Sequence, residues 1–148
     1  MLSKVFSGTM VGLEPHLIEI EAALESRGLP SFSIVGLPDK AVSEAKDRVR
    51  AALNTIGLEL PEKKIVVNLA PADLPKTGAA FDFAIALAIV SADEIIASPL
   101  KNKFFLGELA LNGTLRPVSG VLPLCAMSLD RGFTEVYVPD GNAKEATV

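Results

Sequence analysis

The sequence contains few of the residues that build disulfides and metal sites. Among its 148 residues there is one cysteine, Cys125, and one histidine, His16. A single cysteine excludes an intrachain disulfide and any metal site with several cysteine ligands, and we expect Cys125 to lie buried on a helix. His16 is the only imidazole base and no nucleophile elbow lies near it, which disfavours a histidine-dependent serine triad. We interpret His16 as a structural histidine, and we predict no metal site.

Long hydrophobic runs are missing as well. The longest, residues 83–90, falls far short of the roughly 20 residues that a membrane-spanning helix needs. The first residues, MLSKVFSGTMVG, lack the apolar core of a signal peptide. We therefore expect a soluble, cytoplasmic protein that has no membrane partner.

Phosphate-binding glycine motifs are absent. A P-loop requires Gly-x-x-x-x-Gly-Lys-Ser/Thr, because its glycines let backbone N–H groups wrap the phosphates. The pair Lys76-Thr77 instead follows Pro75, and the nearby Gly78 comes after the pair. The dinucleotide fingerprint Gly-x-Gly-x-x-Gly is not found either. We therefore predict no cofactor in this chain.

The charge balance disfavours a dedicated nucleic-acid domain. The net charge is −4, with 14 basic residues spread along the chain, one tyrosine and no tryptophan. Modules that bind single strands combine a basic groove with aromatic stacking platforms. A local basic patch remains possible on this composition.

What the sequence does contain is strand-like alternation interrupted by helical segments, four in all. In HLIEIEAALE, residues 16–25, apolar side chains share one face, and three glutamates share the other. We interpret those glutamates as a solvated face rather than a metal cluster. Asn112-Gly113 indicates a hairpin with a two-residue turn. The predicted strands are Ser3–Val11, residues 16–25, a short strand in PSFSIVGLPD (residues 30–39), Ile65–Leu69, two runs flanking Asn112-Gly113, and residues 133–139.

The first predicted helix, residues 40–57, is amphipathic, with Asp39 as its N-cap and Gly57 as its stop. Arg48 and Arg50 fall on its outer face and are candidates for binding a neighbouring subunit or a phosphate. The second helix, Ala80–Ala92, is apolar almost all round and therefore belongs in the middle of a domain. A third begins after Ser119 as N-cap, and Asp140 opens a last helix.

This order predicts a mixed α/β (α+β) fold, with one mixed sheet and helices packed on it, in a single domain over residues 1–148. Because the sequence stops inside a helical segment, we expect it to be a piece of a longer protein. Asp82 lies in the first turn of the second helix, where it complements the helix dipole; this interpretation is favoured over a ligand or catalytic role. Carboxylate chemistry involving Asp73, Asp82 and Glu108 stays open.

Three segments carry a family resemblance that covers essentially the whole chain. SFSIVGLPDKAVSEAKDRVRAAL, VNLAPADLPKTGAAFDFAIAL and FLGELALNGTLRPVSGVLPL resemble the N-terminal domain of ComM/YifB proteins, the Mg-chelatase-like ATPases of the AAA+ class. That domain is similar to the proteolytic domain of Lon proteases and to a domain of the RadA recombination protein. The resemblance implies their shared fold, which is also seen in domain 2 of a small-subunit ribosomal protein.

The similarity to Lon also indicates where a peptidase would place its catalytic residues. Lon-type enzymes carry the nucleophilic serine in a Pro-Lys-Asp-Gly-Pro-Ser-Ala-Gly turn, and here Ala80 stands in the serine's place. Their catalytic lysine follows a Gly-Gly pair, and here Leu122 stands in its place. A Ser-Lys dyad needs a hydroxyl to attack and an amine to accept its proton. Alanine and leucine supply neither, so we predict no peptidase activity.

The resemblance implies a hexameric DNA motor acting in branch migration during natural transformation, with ATP and Mg²⁺ bound by an AAA+ module downstream of residue 148. This domain would serve assembly, substrate guidance or regulation. The alternatives are an active Lon-like peptidase, a nucleic-acid module, and a subunit of a magnesium chelatase. The candidate functional or interface residues are Lys76, Thr77, Asp82, Arg48, Arg50, Glu108 and Arg116.

Overall fold

A computed structural model describes residues 1–95 and 100–147. Within these residues the strands are β1 Leu2–Val11, β2 Glu14–Glu25, β3 Ser31–Val35, β4 Lys64–Ala70, β5 Lys103–Phe105, β6 Glu108–Leu109, β7 Leu115–Arg116 and β8 Glu135–Tyr137. The helices are α1 Lys40–Ser43, α2 Ala45–Thr55, α3 Asp82–Ala92, α4 Val121–Asp130 and α5 Ala143–Ala146, and a 3₁₀ turn, Asp140–Asn142, precedes the last.

The strands form a mixed sheet in the order β3-β4-β2-β1-β5-β8. β2 runs antiparallel to both β1 and β4, whereas β3 is parallel to β4, and β5 is parallel to β1 and β8. The short strands β6 and β7 pair separately as a two-stranded ribbon. The predicted mixed sheet with packed helices is confirmed.

The period-two alternation of the strands divides their side chains between two cores. On one face, Ile18, Ile20 and Leu69 pack with α2 and α3 in the larger core. On the other face, Phe6 and Phe104 pack with α4 in a smaller core. The alternation read from residues 16–25 is therefore confirmed, although α4 covers one end of the face that was expected to be solvated.

Two helices begin or continue differently from the sequence-based prediction. The helix over residues 40–57 is divided at Glu44 into α1 and α2. α3 begins at Asp82 rather than Ala80, because the Ala80 carbonyl accepts a hydrogen bond from the N–H of Gly107, 3.0 Å away, outside the helix. Asp39 caps α1 as predicted, accepting the N–H of Val42 at 2.7 Å.

The predicted cap and hairpin near the third helix were wrong in detail. The N-cap of α4 is Gly120, with φ of +77°, and Ser119 lies outside the helix. In the hairpin, the N–H of Ala110 donates to Thr114 and that of Gly113 donates to Ala110. The turn therefore spans residues 111–113 instead of two residues, with Gly113 in the left-handed conformation that such loops need.

Cys125 is buried on α4, as expected. Across residues 1–95 and 100–147, every helix is too short or too polar to cross a bilayer.

Candidate functional site

Two loops at the carboxyl ends of the parallel strands β3 and β4 are joined by backbone hydrogen bonds. The N–H of Asp39 donates to the carbonyl of Lys76 at 2.9 Å, and the N–H of Lys76 donates to that of Leu37 at 3.0 Å. The Asp39 carboxylate, which caps α1, also accepts the N–H of Gly78 at 3.1 Å. These bonds therefore hold the turn of residues 75–78 (sequence PKTG) in a defined position just before α3.

Lys76 anchors this turn from inside the protein. Its side chain is fully buried, and its ammonium donates to the carbonyl of Pro71. Burial lowers the pKa of Lys76 from its ordinary value of 10.5. Lys76 thus points into the loop rather than toward a surface ligand.

Beyond Lys76, the same turn forms one wall of a cleft of about 350 Å³. This volume lies in the range of small-molecule and side-chain pockets. The cleft gathers the end of β1, the turn before α3, β6 and the segment before α4, which are far apart in the sequence. Its lining residues are Gly8, Thr9, Met10, Thr77, Gly78, Ala79, Ala80, Glu108, Pro117, Val118, Ser119 and Leu124.

The two positions that match a Lon-type dyad do not both reach this cleft. Ala80 lines the cleft, together with Thr77, Gly78 and Ala79 of the same turn. Leu122 is 43% exposed on α4 and is absent from the lining. The polar side chains of the lining are the hydroxyls of Thr9, Thr77 and Ser119 and the carboxylate of Glu108, which can hydrogen-bond a ligand and attract a cation.

Directly behind the cleft, Asp82 forms a buried ion pair with Arg48. The Arg48 Nε and Nη2 atoms donate to the two Asp82 carboxylate oxygens at 2.6 and 2.9 Å. Nη2 also donates to the carbonyl of Ala41 at 2.7 Å, and the N–H of Leu109 donates to Asp82 at 3.0 Å. The pair therefore ties α1, α2, α3 and β6 together.

The electrostatics of this pair follow from its burial. The Asp82 side chain is 1% exposed, and burial raises the pKa of its carboxyl, while the hydrogen bonds from Arg48 and Leu109 act in the opposite direction. The hydrogen bond to Asp82 raises the pKa of the Arg48 guanidinium. The assignment of Arg48 to a solvated outer face was wrong, because the guanidinium turns inward to neutralise a buried carboxylate.

The remaining candidates lie apart from this pair. Arg50 is exposed on α2 and lines a second hollow, of about 330 Å³, together with Asn54 and Ser31. Arg116 is exposed on β7, opposite Glu108 in the two-stranded ribbon. The structure thus brings Thr77, Glu108 and Ala80 to one cleft and leaves Arg50 and Arg116 outside its lining.

Sequence reasoning missed Thr9 and Ser119 as cleft residues. Thr9 was part of a strand with no polar motif, and Ser119 was assigned to a helix cap. The glycine at position 120 was the available signal, since glycine favours the left-handed backbone that moves Ser119 out of the capping position.

Two glutamates of β2, Glu19 and Glu21, make polar contacts with neighbouring strands. Lys4 Nζ lies 2.6 Å from Glu19, and the Asn68 amide donates to Glu21 at 3.0 Å. Over the described ranges, no three histidine, cysteine, aspartate or glutamate side chains cluster as metal ligands would.

The fold places the chain in the class of mixed α/β domains. The family model described as "Subunit ChlI of Mg-chelatase" matches residues 20–142. The chain belongs to this family, and specifically to its Mg-chelatase-like ComM/YifB group.

The relatives show how much of a longer protein this chain resembles. It is 46% identical over 148 residues to Competence protein ComM of Haemophilus influenzae, covering 99% of this chain and 29% of ComM. It is 43% identical over 140 residues to the uncharacterized protein YifB of Escherichia coli, covering 94% of this chain and 28% of YifB. More distantly, it is 27% identical over 145 residues to Lon protease 2 of Bacillus subtilis, covering 92% of this chain and 26% of the protease. The chain therefore spans less than a third of the length of these relatives.

Proposed function

We propose that this chain is the non-catalytic N-terminal domain of a ComM-like AAA+ ATPase. The main support for this proposal is the 46% identity to ComM along 99% of this chain, which itself spans 29% of ComM. The remaining length of such a relative leaves room for an ATPase module in cis, where ATP and Mg²⁺ would bind. On this proposal residues 1–148 form one Lon-like domain.

The parent protein is proposed to be a cytoplasmic, hexameric DNA branch-migration helicase used in natural transformation. The name of the relative, Competence protein ComM, supports the part of this proposal that concerns competence. DNA would be engaged by the whole assembly, and this domain would serve assembly, substrate guidance or regulation of the ring. The net charge of −4 supports a domain that does not hold DNA by itself.

Two other functions have specific observations in their favour. Similarity to Lon protease 2 favours a peptidase, but Ala80 and Leu122 occupy the positions of the dyad. The match to the ChlI model favours a magnesium chelatase subunit. The identity to ComM over almost the whole chain makes the ComM-like function the better supported one.

The proposal is tested with the purified chain beside the full-length protein. We expect ATP turnover from the full-length protein and none from the chain, no labelling of the chain by a serine-directed probe, and DNA binding by the chain that is weak at physiological salt. A full-length variant that lacks the lysine of its phosphate-binding loop is the control for contaminating ATPase. ATP turnover or probe labelling by the chain alone would refute the non-catalytic assignment.

A further inference from the structure

Strand β1 keeps one backbone edge open where the cleft begins. β1 pairs with β2 along its whole length, but its pairing with β5 is confined to Phe6 and Phe104. The N–H of Leu24 donates to the carbonyl of Met1, and hydrogen-bonded pairs alternate along an antiparallel ladder. The backbone groups of even-numbered β1 residues therefore point away from β2. Those of Met10 point to the side that β5 no longer covers.

The chain that follows β5 leaves this edge uncovered because it turns to other partners. The N–H of Leu106 donates to the carbonyl of Tyr137, and that of Gly107 donates to the carbonyl of Ala80, each at 3.0 Å. The first bond lies on the β8 side of the segment and continues the β5–β8 pairing, whereas the second directs the N–H of Gly107 to the turn before α3. The uncovered residues Gly8, Thr9 and Met10 form one wall of the cleft.

Glu108 is the charged group of this cleft. It is half-buried, and among residues 1–95 and 100–147 it takes part in no ion pair. The guanidinium of Arg48 lies near enough to feel its charge but is bound to Asp82. The Glu108 carboxylate is therefore available to a ligand.

We propose that this cleft binds an extended peptide segment, which adds to the open edge of β1 and places a lysine or arginine side chain against Glu108. Strand addition supplies main-chain hydrogen bonds, and a pocket beside the edge supplies side-chain specificity. The aliphatic stem of the basic residue lies against Met10, Val118 and Leu124, and its charged end reaches Glu108 and the cleft hydroxyls. A carboxylate in this position repels the phosphates of a nucleic acid. The inference does not depend on the ATPase assignment.

The binding test uses the chain itself and short, end-capped peptides of alternating threonine and valine with one central lysine. On titration we expect NMR amide shifts concentrated at Thr9, Met10, Thr77 and Ala79. A peptide with norleucine in place of the lysine keeps the shape and loses the charge. It is expected to bind roughly tenfold more weakly, since hydrogen bonds between charged groups are the stronger class.

Two further arms separate the charge from the strand pairing. Glu108→Gln should remove the preference for lysine over norleucine, whereas Glu62→Gln, which changes an exposed acid outside the cleft lining, should keep it. A lysine peptide N-methylated at alternate residues should bind roughly tenfold more weakly to the unaltered protein, because it loses main-chain donors. The proposal is overturned if the lysine peptide shifts no cleft amides, if Glu108→Gln keeps the preference, or if N-methylation has no effect.

Discussion

At the scale of single residues, the buried Asp82–Arg48 pair explains why an otherwise apolar helix begins with an acid. Asp82 would be costly to bury alone, and the bidentate contact with Arg48 together with the N–H of Leu109 satisfies its oxygens. The dipole interpretation located Asp82 correctly at the first turn of α3. It did not find the partner on α2.

Breaking this pair should destabilise the protein strongly. We expect Asp82→Leu or Arg48→Met to lower the free energy of unfolding by about 3–5 kcal/mol each, because either leaves an uncompensated buried charge. The double variant should lower the free energy of unfolding by less than the sum of the two single effects, since it removes both charges. Urea denaturation measures all three free energies.

Arg50→Met is the matched control for that cycle, because Arg50 is exposed on the same helix. It should change the free energy of unfolding by no more than about 0.5 kcal/mol. Simple additivity of the Asp82 and Arg48 substitutions would contradict the ion-pair account.

Lys76 should make stability depend on pH in the alkaline range. Burial lowers the pKa of Lys76 from 10.5, so between its folded pKa and 10.5 the unfolded chain binds more protons than the native protein. The free energy of unfolding contributed by Lys76 therefore rises with pH in this window. The free energy of unfolding of the wild type minus that of Lys76→Met should therefore increase toward pH 10.5, as measured by denaturant titrations at a series of pH values.

The exposed Lys101 provides the comparison for that titration. Lys101→Met removes a lysine from the surface, and its free energy of unfolding is measured beside that of Lys76→Met at each pH. A wild-type to Lys76→Met difference that stays constant across the alkaline range would count against a lowered pKa.

At the scale of elements, the turn of the β6–β7 ribbon is fitted against the end of α2. Gly113 has a φ of +88°, and a Cβ atom there would lie 2.6 Å from the Cγ2 atom of Ile56. The Thr55 hydroxyl also donates to the carbonyl of Leu111 at 2.9 Å. This contact holds the ribbon in place, and β6 carries Glu108 to the cleft.

Gly113→Ala should therefore destabilise the folded protein more than Gly12→Ala does. Both glycines have positive φ, so each substitution carries the left-handed cost of about 1–2 kcal/mol. No atom lies within 4 Å of a Cβ at Gly12, whereas Gly113→Ala adds a collision worth a further ~1 kcal/mol or more. Thermal denaturation of the two variants tests this difference. An equal fall in Tm for both would show that the ribbon moves to accommodate the new methyl group.

At the scale of the whole molecule, the two faces of the sheet are covered unequally. α3 packs against β1 and β2 on one face, with α2 behind it, and α4 covers the other face near β2 and β1. The uncovered part of the second face carries the Lys4–Glu19 pair and the Glu21–Asn68 hydrogen bond. The cleft lies near the end of β1, where α4, the turn before α3 and the ribbon meet.

Much of this architecture could be predicted from local patterns. The period-two alternation of β2, the amphipathic stripe of α2 and the apolar composition of α3 are properties of neighbouring residues, and the structure contains each element. Their ends were less predictable: α3 begins two residues late because Gly107 takes the carbonyl of Ala80. A partner so distant in the chain leaves no local signal.

The sequence by itself determined the class of the fold, the family, and the presence of alanine and leucine at the two positions of a Lon-type dyad, because these depend on residue identity and short-range period. Only the tertiary structure decided that Arg48 turns inward to Asp82, that Lys76 is buried, and that Thr9, Glu108 and Ser119 share one cleft. These arrangements arise from packing between segments that are distant in the chain. Burial then makes each polar group find a partner that spacing alone cannot identify.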